Sequence, residues 1–379
     1  MKLSINRHAL ISALAKLKDT AKAYTNRIIL RAVRLAVESD SAVKLTVTNL
    51  DEYVTLSLPA KCEQSGIRAT CIPFGPLFSI LPRLSDETVT IEQEQATSPL
   101  AIFAGDVMAS IETLHEEEFP PTPVIAGAHL FRMDSETLRS LLSRVSCAQS
   151  QDETRYVLNG ILCEVKDNTF KAIATDGRRL CVAETEIEIA KESERDFIIP
   201  TPAVQAIIRL LSTDGTVVIA VSESGDKAAF TIGDHAVVTT KLIEGQYPKW
   251  RYVIPPPATR RHTFPSLAVI NALQRVATGN HEKINAAKLT FHPDHIIVTN
   301  GGSEPPVRIV EKIKHTQPPD AGPMPFECFY SPAFLTDGIQ SCNSEIVSMG
   351  LGEKIEQPAM LTGESSGFFY ILLPIRKAE

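Results

Sequence analysis

Short segments in which apolar and polar residues alternate are interrupted by longer segments whose apolar residues recur at helical spacing. Three of the longer segments, residues 8–18, 135–146 and 265–278, place Leu, Ile and Val on one stripe and most charged residues off it. A stripe of this kind predicts an amphipathic helix that packs on one face, and the alternating segments predict strands. In the third segment the stripe is expected to contain Leu267, Ile270, Leu273 and Val276.

The order of these segments recurs along the chain. In the first third, the strand-like residues 28–51 are followed by Ile72-Pro73 and an apolar helical segment; in the second third, residues 156–177 are followed by Ile199-Pro200 and a similar segment. A fainter third copy includes residues 289–300 and 331–335. Self-similarity at about one third of the chain predicts three tandem copies of one α+β domain, each with two helices against an antiparallel sheet.

Domain boundaries are expected where acid and proline replace periodic apolar residues. Residues 116–123 have this character, and residues 252–258 contain three consecutive prolines; the two segments divide the chain into domains 1–125, 126–253 and 254–379. Short linkers stiffened by proline favour a fixed arrangement of domains.

Composition indicates an ordinary soluble globular protein. Hydrophobic residues make up 44% and charged residues 22% of the 379 residues, and no apolar run approaches the length of a membrane span. Residues 1–7 lack the apolar core of a signal peptide, so we expect a cytoplasmic protein. The seven cysteines are scattered without Cys-x-x-Cys spacing, which favours reduced thiols over a metal site.

The net charge of −7 does not exclude a nucleic-acid partner, because a basic wall can coexist with an acidic exterior. Basic residues recur off the apolar stripes of the predicted helices. Such a wall would contact phosphates without reading base sequence; the alternative is ordinary solvated surface. The candidate residues are Lys16, Arg83, Arg139, Arg209 and Arg275.

Several motifs resemble the bacterial sliding clamp family, the β subunit of DNA polymerase III. The most specific are residues 152–162 (DETRYVLNGIL) and 174–180 (ATDGRRL); residues 118–120, 241–251 and 370–376 agree as well. The resemblance covers the whole chain and is weakest in the last third. It implies a non-catalytic processivity factor without a cofactor: a head-to-tail homodimer whose six domains close a ring around duplex DNA.

The resemblance also implies a cleft that binds short linear motifs of the polymerase, the clamp loader and repair proteins. The implied cleft residues are Leu158, Thr175, Gly177, Arg178, Arg179, Leu180, Pro248, Tyr252, Val253, Ile371, Leu372, Leu373, Pro374 and Ile375. Tyr252 stands where the family often has arginine, and Arg178 where histidine is common. The implied DNA contacts add Arg27 and Tyr156 to the basic residues above.

The dimer contacts implied by the resemblance are Ala109, Ile111, Thr278 and Gly279, of which only Ile111 is large and apolar. We therefore expect a weak interface, and a divergent paralogue that binds peptides without stable ring closure is the alternative. An enzyme is disfavoured because no phosphate-binding loop, nucleophile elbow or His-Glu-x-x-His motif is present. His292, Asp294 and His295 are interpreted as a hairpin turn rather than a metal site.

Overall fold

The computed structural model describes residues 1–21, 26–63, 66–96, 98–125, 129–189, 191–258, 260–280, 285–302, 305–315 and 325–375. The last residue of the 370–376 motif and the three residues after the first predicted boundary lie outside these ranges. The described residues contain six α-helices. They are α1 (Arg7–Ala21), α2 (Phe74–Ile80), α3 (Ser135–Ser146), α4 (Thr201–Leu210), α5 (Ser266–Thr278) and α6 (Pro332–Ser341).

Twenty-four strands accompany these helices in the described residues. The first third contains β1 (Lys2–Asn6), β2 (Ala32–Ser39), β3 (Ala42–Thr48), β4 (Glu52–Glu63), β5 (Ala69–Pro73), β6 (Thr88–Glu92), β7 (Leu100–Ala104) and β8 (Val107–Ile111). The second contains β9 (His129–Asp134), β10 (Gly160–Lys166), β11 (Thr169–Thr175), β12 (Arg179–Glu186), β13 (Arg195–Pro200), β14 (Thr216–Val221), β15 (Lys227–Ile232) and β16 (Ala236–Lys241). The third contains β17 (Arg260–Pro265), β18 (Ala287–Phe291), β19 (His295–Asn300), β20 (Val310–Lys314), β21 (Phe326–Tyr330), β22 (Ile346–Leu351), β23 (Ala359–Thr362) and β24 (Phe368–Leu372).

The element order repeats three times: one strand, one helix, four strands, one helix and three strands. This order confirms the predicted α+β class, and the helices occur at the three amphipathic segments and after the Ile-Pro pairs. The strand-turn-strand interpretation of residues 292–295 is confirmed too, because β18 and β19 pair antiparallel and the amide of His292 donates to the carbonyl of His295 at 2.8 Å.

The first compact unit consists of residues 1–139, 188–193 and 199–243. Its twelve-stranded antiparallel sheet has the order β8-β7-β6-β1-β4-β16-β15-β14-β9, with β2, β3 and β5 branching from β4. The predicted stripe of α1 is buried, since Leu10, Leu14 and Leu17 are each 0% exposed. The helix packs against β4, α2 and α4.

The second compact unit consists of residues 140–187, 194–198 and 244–379. It contains an eight-stranded sheet of order β13-β10-β11-β12-β24-β23-β22-β17 and a four-stranded sheet of order β20-β19-β18-β21. Helices α5 and α6 pack together. The predicted stripe of α5 is partly wrong: Val269 is buried and Leu267, two positions away on another face of the helix, is 69% exposed.

Candidate functional site

The Thr-Asp-Gly-Arg-Arg segment forms the turn between β11 and β12. The Asp176 carboxylate accepts hydrogen bonds from the amides of Arg178 and Arg179 at 2.9 and 3.1 Å. The Thr175 hydroxyl donates to the Arg179 carbonyl at 2.6 Å and accepts from the Gly177 amide at 3.1 Å. Gly177 has φ +86°, a conformation that costs glycine little. The side chains of the motif therefore hold the turn in one shape.

Strand pairing joins this turn to the C-terminal strand. In the antiparallel register of β12 and β24, Arg179 lies opposite Leu372 and Leu180 opposite Ile371. The pairing continues beyond β24, because the Leu373 amide donates to the Arg178 carbonyl at 3.0 Å. Two predicted cleft segments almost 200 residues apart in sequence thus lie side by side.

Residues 247–251 bond to the strands β10 and β11. They neighbour the predicted cleft residues Pro248, Tyr252 and Val253. The Thr175 amide donates to the Tyr247 hydroxyl at 3.1 Å, and burial raises the pKa of that phenol. Trp250 Nε1 donates to Glu164 at 2.9 Å, and the Arg251 guanidinium forms an ion pair with the same carboxylate. These contacts hold the backbone on either side of the predicted residues Pro248, Tyr252 and Val253.

Leu158 belongs to a 3₁₀ turn, Glu153–Leu158, that lies beside the hairpin. Arg155 Nη1 in this turn donates to the Asp176 carbonyl at 3.4 Å. This hydrogen bond connects the turn that contains Leu158 with the turn between β11 and β12.

The cleft residues differ in exposure, and this difference separates supporting residues from contact residues. Leu158, Leu180, Ile371 and Leu372 are buried, at 7% exposure or less. By contrast, the exposed apolar side chains are Tyr252 (83%), Val253 (54%), Leu373 (43%) and Ile375 (39%). Of the large apolar residues predicted for the cleft, only the exposed four therefore present substantial apolar surface to solvent.

The two arginines of the motif have different environments. Arg179 donates to Asp176 at 3.0 Å and to Asp337 at 2.6 Å, and its guanidinium lies 4.1 Å from the Phe334 ring centroid. Its side chain is only 10% exposed, so it holds α6 against the hairpin. Arg178 is exposed and remains available at the rim. The sequence carried no signal for Asp337 or Phe334, because both lie more than 150 residues away from the motif.

Two of the five cations of the predicted basic wall form ion pairs with described carboxylates. Arg209 forms an ion pair with Asp19 of α1, and Arg275 pairs with Glu311, donating from Nη2 at 2.8 Å. The remaining wall residues and Arg27 are exposed; Lys16 and Arg139 form no ion pair with a described residue, and Arg83 donates to the Ser79 carbonyl. Tyr156 is 59% exposed. Lys16 and Arg139 are therefore the residues of the predicted wall with neither an ion pair nor a hydrogen bond to a described residue.

The implied dimer residues lie at or near the ends of two sheets. Ala109 and Ile111 are in β8, the end strand of the twelve-stranded sheet, but Ile111 is only 8% exposed. Sequence reasoning missed the apolar exposed residues of that strand, Val107 at 45% and Met108 at 65%.

Thr278 is exposed at the end of α5, and Gly279 is buried. A Cβ on Gly279 would lie 2.6 Å from the Val307 carbonyl, so only glycine fits there. Val307 itself is 57% exposed, as is Val310 in β20, the end strand of the four-stranded sheet.

Within the described ranges no group of three His, Cys, Asp or Glu side chains has an arrangement suited to a metal ion. None of the helices described there is both long enough and apolar enough to cross a membrane.

Comparison with known proteins places this architecture among the DNA clamps. The sliding clamp of Bartonella birtlesii, solved bound to griselimycin, has 26% sequence identity, a TM-score of 0.89 and coverage of 99% of both chains. The β sliding clamp of C. crescentus has 27% identity, a TM-score of 0.85 and the same coverage. The β sliding clamp of Chlamydia pneumoniae is 27% identical over 376 residues, again 99% of both chains.

Family models then specify which clamp. The N-terminal domain of the DNA polymerase III β subunit matches residues 1–123, and its central domain matches residues 132–249. Together the two models span more than half of the chain. The chain belongs to the β sliding clamp family of DNA polymerase III, and its function is that of a non-catalytic processivity factor.

Proposed function

We propose that two copies of this chain, each with domains 1–125, 126–253 and 254–379, associate head to tail into a ring around duplex DNA. We further propose that the predicted cleft binds short linear motifs of the polymerase, the clamp loader and repair proteins. The observation that carries the cleft proposal is the pairing of β12 with β24, which unites the turn after β11 with the C-terminal strand. The alternative of a paralogue without ring closure is not favoured, since relatives matched over 99% of both chains are named sliding clamps.

The chemistry of the cleft suits a short peptide with apolar anchors. Tyr252, Val253, Leu373 and Ile375 expose apolar surface, which would bury Leu and Phe side chains of the peptide. Arg178 at the rim adds a donor for peptide carbonyls or a carboxylate. Asp176 and Thr175 already hold the turn in one shape. Peptide binding would therefore lose little conformational entropy at this part of the site.

The test is calorimetric titration with a short peptide from the replicative polymerase that contains Leu and Phe. Leu373→Ala is expected to weaken binding by about tenfold, equivalent to ~1.4 kcal/mol, because an exposed anchor contact is removed. Ile355→Ala is the matched control, since Ile355 is an aliphatic residue of similar exposure, 50%, outside the cleft. Equal affinity of wild type and Leu373→Ala, with both folded, would remove the cleft assignment.

Ring closure is supported by the end strands of two sheets, β8 and β20, which can each pair with a strand of another chain. An end strand has backbone donors and acceptors on one side that no neighbouring strand uses, so it can pair with another chain. β8 exposes Val107 and Met108 beside this edge, and β20 exposes Val310. We propose that β8 of one copy meets the region of Thr278, Val307 and β20 of the other. Such a heterologous contact closes when rotation brings the second copy back to the first.

DNA would be held by enclosure, with the exposed cations making weak phosphate contacts. Lys16 and Arg139 extend from α1 and α3 without a carboxylate partner among the described residues. Contacts with phosphates are equivalent at every position along the duplex, so they permit sliding, whereas base readout would stop it.

A further inference from the structure

Two cysteines that are distant in sequence meet beside the β11–β12 hairpin. The sulfur of Cys147, the residue after α3, lies 3.8 Å from the sulfur of Cys181 in β12. The described ranges include all seven cysteines, and no other two of them form such a contact. A disulfide requires its sulfurs to approach to about 2.05 Å, so the two sulfurs must move closer together from their separation of 3.8 Å before a bond can form.

The two thiols have different environments. Cys147 is partly exposed, and its sulfur lies 3.3 Å from the Ser341 hydroxyl at the end of α6. Cys181 is 0% exposed, between the strands β11 and β24. An oxidant in solution can therefore reach the Cys147 sulfur, whereas the Cys181 sulfur is shielded from solvent.

Hydrogen bonds around the pair favour the thiolate of Cys147. The contact with Cys181 lowers the pKa of Cys147 most, and the Ser341 hydroxyl and the positive charge of Arg179 lower it further, against the opposing effects of burial and of the Asp337 carboxylate. Burial raises the pKa of the Cys181 thiol. The Cys147 thiol also donates to the Arg144 carbonyl at 3.8 Å, so the C-terminal end of α3 opposes a negative charge at this sulfur.

We propose that Cys147 and Cys181 are a redox-sensitive pair, in which a peroxide oxidises Cys147 and Cys181 resolves the product to an intramolecular disulfide. In the first step the Cys147 thiolate attacks a peroxide oxygen: an S–O bond forms, the O–O bond breaks, and hydroxide leaves and takes up a proton. In the second step the Cys181 sulfur attacks the Cys147 sulfur. The S–S bond forms, the S–O bond breaks, and the Cys181 proton leaves with hydroxide as water. The two thiols are oxidised and one hydrogen peroxide is reduced to two waters.

The location gives this modification a specific structural effect. The loop that the disulfide closes, residues 147–181, contains six of the predicted cleft residues, from Leu158 to Leu180. One end of the bond lies directly after Leu180, and the other lies at the junction of α3 with the segment leading to Leu158. Oxidation would thus tie both sides of this segment together.

The proposal is tested on the folded full chain with dilute hydrogen peroxide, followed by alkylation and peptide mass mapping. We expect a mass lower by two hydrogen atoms, a linked pair of peptides containing Cys147 and Cys181, and full reversal by a dithiol. Cys163 and Cys328 are the internal controls, because both are buried and are expected to stay reduced in the folded protein.

Single variants distinguish the cysteine that reacts with peroxide, Cys147, from the cysteine that then forms the disulfide, Cys181. Cys181→Ser, or Cys181→Ala if the serine variant does not fold, is expected to leave Cys147 as a sulfenic acid that a dimedone-type reagent traps. Cys147→Ser is expected to abolish oxidation at Cys181. A stable sulfenic or sulfinic acid on Cys147 of the wild type, a disulfide between other cysteines, or no reaction in the folded state would each overturn the proposal. None of these outcomes depends on peptide binding, so the inference is independent of the cleft assignment.

Discussion

Replacing His262 with leucine should remove a large part of the acid sensitivity of the second unit. His262 lies in β17, is 0% exposed, and stacks on Phe291 with ring centroids 4.3 Å apart. Neither of its ring nitrogens has a hydrogen-bond partner among the described residues. Burial, and then the nearby His315 and Arg260, lower the pKa of His262 to about 4 from an ordinary 6.5.

The sign and size of the effect follow from proton linkage. Between pH 6.5 and 4 the unfolded chain binds a proton at this residue that the folded chain does not bind, so the free energy of unfolding falls as the pH is lowered. For these two pKa values the loss between pH 7 and pH 5 is about 2 kcal/mol, and it approaches about 3 kcal/mol below pH 4. Leucine does not titrate and has a similar volume, so His262→Leu should lack this loss.

The assay is urea unfolding at pH 7 and pH 5, followed by fluorescence of Trp250, the single tryptophan of the sequence. Trp250 is buried at 7% exposure and belongs to the same compact unit as His262. His235→Leu is the control, because the His235 side chain is 44% exposed and lies in the other unit. The reasoning is refuted if wild type and His262→Leu lose the same free energy of unfolding between the two pH values.

Three further predictions concern association, DNA and the cleft turn. Met108→Glu should weaken the dimer by at least about tenfold in light scattering over a concentration series, whereas Val124→Glu, at a valine outside β8 that is still more exposed, should not. Equal dimerisation of both variants would exclude β8 as the interface. Arg139→Ala should weaken binding to short linear duplexes of any sequence in fluorescence anisotropy, and Arg209→Ala less, because Asp19 already neutralises Arg209; a larger effect of Arg209→Ala would contradict this. Gly177→Ala should lower the free energy of unfolding by about 1 kcal/mol in the Trp250 assay, because alanine is strained at φ +86°; an unchanged value would show that the turn relaxes.

Local pattern was sufficient to predict the α-helices and the strand-rich segments, but residues 28–31 and 156–158, which begin two segments expected to form strands, lie in 3₁₀ helices. Helical spacing of Leu and Val in residues 135–146 predicted α3 with its observed bounds, and the hairpin turn predicted at residues 292–295 joins β18 to β19. The threefold recurrence of these signals predicted the repeated element order. Each individual signal lies within a few residues along the chain, and only its recurrence extends over the whole sequence.

Long-range pairing was beyond such reasoning. The ion pair of Arg209 with Asp19 joins residues 190 positions apart, and nothing in either helix indicates the other. Likewise, the β7–β8 register places Ile111 opposite the fully buried Leu100, which explains why Ile111 is buried and Met108 is exposed. The cleft residues came from resemblance to a family, and only the structure distinguishes the engaged Arg179 from the exposed Arg178.

The most direct measurement of the central claim compares protein retained on circular and on linear DNA after loading by the cell's own clamp loader. High salt removes phosphate contacts but not enclosure. We predict that loaded protein stays on nicked circular DNA in high salt and leaves promptly when a restriction enzyme linearises the circle. Equal loss from circular and linear DNA would contradict the account, because it would mean that the protein holds DNA by surface contact alone.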